Sequence, residues 1–74
     1  MAKEHKCWEE LPPQGLPVKV TGIDWDGWGT AYYGPAKTPS DPTAEYNTKL
    51  CWRWCNDEDE ITNPPTRWKH IDIV

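Results

Sequence analysis

The chain has 74 residues, a formal net charge of −4, six tryptophans, three tyrosines and no phenylalanine. That length allows one small domain. No apolar run approaches the roughly 18 residues of a membrane span, and residues 1–6 lead into no apolar stretch of a secretory signal. Leu, Ile, Val and Phe together supply only ten residues, under the roughly 20% that flags disorder. The aromatic content and modest net charge nevertheless argue for a folded chain. Each Trp can bury about 200 Å², so about four of the six are expected in the core. The eight basic residues are scattered singly along the chain, which disfavours duplex DNA as a ligand. The acidic balance suits a partner with a basic surface.

In chain order, residues 1–7 read as a loose N-terminal segment and residues 8–74 as a single small β domain. Pro12 and Pro13 stop any helix begun at Cys7, and Gln14-Gly15 reads as a turn. Residues 16–23 alternate as a strand, with Val18 and Val20 on one face and Lys19 and Thr21 on the other. Asp26-Gly27 between two β-like runs predicts a tight hairpin, with residues 29–34 as the returning strand. Residues 35–47 carry Pro35, Pro39 and Pro42 and form a long loop, with one helical turn near residues 43–46. Residues 49–55 form the third strand, with Leu50, Trp52 and Trp54 on one face and Cys51, Arg53 and Cys55 on the other. Residues 56–60 make an acidic tip, Asn63-Pro64-Pro65 marks a turn, and residues 67–74 form the last strand. A bulge near His70 would reconcile the phases of Trp68 and Ile71. The expected fold is all-β: a small four-stranded antiparallel meander or SH3-like open barrel with long loops and no long helix.

Few residues suggest chemistry. No phosphate loop, nucleophile elbow or His-Glu-x-x-His motif is present, and consecutive acids on a turn lack the split environments of a carboxylate pair. The chain therefore reads as non-enzymatic, with no cofactor. Cys7, Cys51, Cys55 and His70, with His5 nearby, offer zinc-ligand chemistry, but Cys51 and Cys55 would lie about 13 Å apart on a strand. Zinc is an alternative; small, partly buried, reduced thiols are the simpler reading. Asp24-x-Asp26-Gly27 imitates a calcium loop and fails at its twelfth position, Pro35. Trp25, Asp26 and Trp28 bracket the expected hairpin tip, where aromatics are hard to bury and suit an interface. The competing reading is that one of the two tryptophans folds back over a thin core. The candidate partner-binding set is Trp25, Asp26, Trp28, Asp57, Glu58, Asp59 and Glu60. A further alternative is a single-strand nucleic-acid or sugar binder using the aromatic hairpin.

The run Trp8-Glu9-Glu10-Leu11-Pro12-Pro13-Gln14-Gly15, followed by Val18-x-Val20, resembles the opening of a family of short phage and prophage proteins of unknown function. Ala31-Tyr32-Tyr33 matches that family's middle strand. Arg67-Trp68-Lys69-His70-Ile71 keeps its closing Trp and aliphatic residue but lacks the final Leu-Pro. The resemblance spans Trp8 to Ile71, and Trp52, Trp54 and the three cysteines fall outside it. It implies a phage or prophage origin and a compact β fold, and it transfers no active site; the acidic balance and reduced thiols suit the cytoplasm, here that of a bacterial host. On this basis the chain is expected to bind and inhibit a host or phage protein, with neither a membrane nor duplex DNA as partner. Strand edges leave a homodimer open.

Overall fold

The computed structural model describes residues 3–37, 41 and 43–71. Strands β1 (His5–Lys6), β2 (Val18–Thr21), β3 (Gly29–Gly34), β4 (Cys51–Trp54) and β5 (Arg67–Lys69) form one antiparallel sheet in the order β1-β5-β2-β3-β4. A single helical turn, α1 (Glu45–Thr48), precedes β4. The protein is all-β, and the sheet stays open rather than closing into a barrel. Among the described residues, no helix is long and apolar enough to cross a membrane.

The strands β2, β3 and β4 are the expected meander. The sheet has a fifth strand, however, and β5 enters between β1 and β2. His5–Lys6, expected in a loose terminus, pairs with β5 in the register His5↔Trp68 and Lys6↔Arg67. Aromatic stacking explains the pairing: the His5 ring lies 4.3 Å from the Trp68 ring, tilted by 25°. Glu4 adds an ion pair to Arg67 at 3.0 Å, and the Cys7 N–H donates to the Thr66 carbonyl at 2.9 Å.

Register divides the sheet into two faces. Val18, Val20, Ala31, Trp52, Trp54 and Trp68 share the apolar face, because paired residues in a ladder point the same way. Val18, Val20, Ala31, Trp52 and Trp68 are buried there with Ile61, and Cys7, Trp25, Tyr33 and Trp54 pack against them. The tryptophans therefore divide: Trp52 and Trp68 lie inside the core, Trp25 and Trp54 pack against it, Trp28 is half-buried and Trp8 is exposed. The Trp68 indole N–H donates to the Glu10 carbonyl at 2.7 Å. That bond fixes the N-terminal segment over the core and satisfies the ring's polar edge.

Three other expectations shift. The link between β2 and β3 spans residues 22–28 rather than a two-residue Asp26-Gly27 turn. Its positive φ falls at Asp24 (67°), and the Thr21 hydroxyl donates to the Gly27 carbonyl at 2.9 Å. The helical turn sits two residues later than expected, after an Asp41 side chain that accepts from the Thr43 amide and hydroxyl at 3.0 and 2.7 Å. The last strand ends at Lys69, so Ile71 needs no bulge at His70 to leave the strand's phase. The rest of that expected strand, residues 72–74, lies outside the described residues, as do 38–40 and 42 of the long loop.

Arg53 is the largest departure from the sequence pattern. It lies on the second face of β4, where a charge would ordinarily meet water, yet it is fully buried. Its guanidinium donates to four carbonyls: Gly34 at 3.1 Å, Glu58 at 3.0 Å, Tyr46 at 2.6 Å and Lys49 at 3.2 Å. One side chain thereby ties the end of β3, α1 and the segment after β4 together. A buried cation is tolerable only when its donors are satisfied, and the planar five-donor fork of arginine suits several acceptors at once. Residues 58–61 also cover the outer edge of β4: Trp54 N–H donates to Asp59 O at 3.1 Å and Ile61 N–H to Trp52 O at 2.9 Å. This blunts an edge that would otherwise invite pairing.

Candidate interaction surfaces

Because neighbouring strands are antiparallel, the end of β2, the start of β3, the end of β4 and the start of β5 lie at one end of the sheet. The loop 22–28 and the turn 55–59 are therefore neighbours, as the predicted partner-binding set requires. The individual side chains are sorted differently from that prediction.

Trp25 is half-buried and packs on Trp54, with ring centres 5.3 Å apart. It anchors the loop to the core, which is the fold-back alternative realised at one of the two hairpin tryptophans. Trp28 faces the other way. Extending the β2–β3 register places it opposite Thr21, on the polar face, with the Lys69 ammonium 4.4 Å from its ring centre. Asp26 is exposed, as are Asp24 and Ile23. Ile23 keeps 70% of its surface, the most of any large apolar residue described. This exposure was not legible in the sequence, where Ile23 reads as the end of a strand.

The acidic tip is half structural. Glu58, at a positive φ of 62°, accepts from the Tyr32 hydroxyl at 3.1 Å and from the Lys37 amide. Burial, and then this bond to Glu58, hold the Tyr32 phenol above its ordinary pKa. Glu60 pairs with Lys49 at 2.9 Å, which raises the lysine's pKa. Asp57 accepts the Asp59 amide at 2.9 Å and stiffens the turn. Asp57 and Asp59 are exposed, and neither they nor Asp24 and Asp26 form an ion pair among the described residues. At this end of the sheet the exposed acids outside any ion pair are Asp24, Asp26, Asp57 and Asp59, with Ile23 next to Asp24 in the loop.

The zinc candidates are dispersed. Cys7 follows β1 and Cys51 opens β4, at opposite edges of the sheet. Among the described residues, no three His, Cys, Asp or Glu side chains gather to hold an ion. His70 instead stands edge-on to the rings of Trp68, at 5.2 Å, and His5, at 6.1 Å. Burial raises all three thiols above their ordinary pKa, Cys7 to about 11. That disfavours the thiolate needed by a metal ligand or nucleophile. A shallow hollow of about 500 Å³ is lined by Glu45, Tyr46, Thr48 and Lys49. Its ammonium is already paired with Glu60.

No protein-family model matches the chain, and neither a curated protein nor a solved structure matches it.

Proposed function

We propose that the chain is a non-catalytic binding protein that docks its acidic loop end on a basic-rimmed apolar pocket of a host or phage protein and blocks that surface. The carrying observation is the exposure of Ile23 beside unpaired Asp24 and Asp26, on a loop held from both sides. Trp25 against Trp54 fastens one side and the Thr21–Gly27 hydrogen bond the other. A loop fixed before binding loses less entropy on docking. An apolar anchor ringed by like charge combines desolvation with electrostatic selection of a basic partner. The motif likeness to short phage proteins supplies the setting. The raised thiol pKa values and the separation of Cys7 from Cys51 across the sheet support a non-catalytic role.

The test is a pull-down from bacterial lysate with the wild-type chain and with Ile23→Asp, the bound proteins identified by mass spectrometry. One stoichiometric partner should elute with wild type at moderate salt and be absent with the variant. Since Ile23 contributes little burial, the variant's unfolding free energy should stay within about 0.5 kcal/mol of wild type. Equal recovery by both chains would exclude the loop as the docking element.

A further inference from the structure

The basic residues are scattered in sequence, but the register gathers four of them. Lys6 pairs with Arg67, Arg67 with Thr21, Lys69 with Lys19, and Lys19 with Thr30. These residues form two adjacent rows on the polar face of β1, β5, β2 and β3, about 6.6 Å apart along the strands. Trp28 extends the first row beyond Thr21. Lys6 and Arg67 are exposed, while Lys19, Lys69 and Trp28 are half-buried. Arg67 is paired with Glu4. Lys6, Lys19 and Lys69 have no ion-pair partner among the described residues.

The Lys19–Lys69 pair is the informative feature. Like charges directly opposite on a ladder destabilise a sheet, and here each ammonium rests on a neutral group. Lys19 donates to the Thr30 hydroxyl at 2.8 Å, and Lys69 lies over the Trp28 ring at 4.4 Å. The arrangement holds two cations side by side with no carboxylate paired to either, one of them seated on the half-buried Trp28 ring.

We propose that this face binds single-stranded nucleic acid, with Lys6, Lys19, Lys69 and Arg67 on successive phosphates and Trp28 stacking on one base. Backbone neutralisation by lysines and arginines, together with a stacking platform on a sheet, is the general mode of single-strand recognition. A base that takes the place of Lys69 over the indole releases that ammonium for the adjacent phosphate. A duplex keeps its bases stacked and offers none to Trp28. The two sites adjoin, because Trp28 closes the 22–28 loop and Arg67 opens β5 at the same end of the sheet, but they use different residues, so Ile23→Asp tests the first proposal and Lys19→Glu the second.

The experiment is fluorescence anisotropy of a short fluorescein-labelled oligodeoxythymidine, titrated with the full chain over a range of salt, with heparin as a polyanion lacking bases. Binding should weaken with salt along a log–log slope of about −2 to −3, from roughly −0.7 per phosphate contact. Trp28→Leu should weaken binding about tenfold or more. Lys19→Glu replaces a like-charge pair by an opposite pair, so it should abolish binding while the thermal midpoint holds or rises. Absence of binding at low salt would overturn the proposal. So would unchanged affinity in Lys19→Glu, or preference for heparin over the oligonucleotide with no loss in a folded Trp28→Leu chain.

Discussion

Replacing Arg53 by lysine keeps the charge and removes the fork. The wild-type guanidinium serves the carbonyls of Gly34, Glu58, Tyr46 and Lys49 from three nitrogens. A lysine ammonium is one nitrogen at the end of an unbranched stem. It can replace at most the bonds that Nη2 makes to Tyr46 and Lys49, which leaves the Gly34 and Glu58 carbonyls without this donor. Each abandoned buried acceptor costs about 1–3 kcal/mol, so Arg53→Lys, which abandons two, should lose about 2–6 kcal/mol. A chain of this size holds about 4–11 kcal/mol in all, so the loss is a large fraction of the total. The melting temperature should fall by at least about 8 °C, at about 4–8 °C per kcal/mol. Arg53→Met strands all four carbonyls and should leave little folded chain at room temperature. Urea unfolding followed by tryptophan emission measures both variants, and a lower midpoint at unchanged slope identifies lost stability. A midpoint for Arg53→Lys matching wild type would refute the reasoning, because Arg53 would then not be the tie between β3, α1 and the segment after β4.

Two further outcomes test other parts of the structure. At Gly29 an added Cβ would meet the Trp54 ring 2.7 Å away, whereas at Gly27 it meets nothing within 4 Å; Gly29→Ala should therefore cost about 1–3 kcal/mol and alter the near-UV circular dichroism of the Trp25–Trp54 pair, while Gly27→Ala changes neither, and equal melting curves for the two would contradict this packing. The Cys7 thiol, raised from 9.0 to about 11, favours the folded state below its unfolded pKa. That contribution should decline as pH rises from about 9 to about 11. A Cys7→Ala chain should lack this component of the alkaline decline in urea midpoint, and identical alkaline profiles for the two chains would show that Cys7 is not responsible.

Patterns local in sequence carried over well. Val18 and Val20 alternate with Lys19 and Thr21, and that period of two specifies a strand whatever lies beside it. The prolines and the absence of a long helical period specify short elements and long loops. The alternation of Cys51 and Arg53 against Trp52 and Trp54 likewise identifies the faces of β4. An alternating pattern cannot reveal that both faces are covered, and so nothing in the sequence marks Arg53 as buried. The candidate loop end was legible as a location, because acids, glycines and tryptophans cluster there. The side-chain directions there were not: Trp25 and Glu58 turn inward, while Ile23 turns out.

The sequence by itself determined an all-β chain with an acidic, tryptophan-bracketed loop, because strand period, turn residues and charge are properties of neighbouring positions. The tertiary structure alone decided that β5 enters between β1 and β2, that Arg53 is buried, and that Lys6, Lys19, Arg67 and Lys69 meet on one face. Each of these depends on which residue pairs with which across the sheet, and register is set by contacts between segments far apart in the chain. The Lys19–Lys69 pair joins positions fifty residues apart, and no local pattern in either segment announces it.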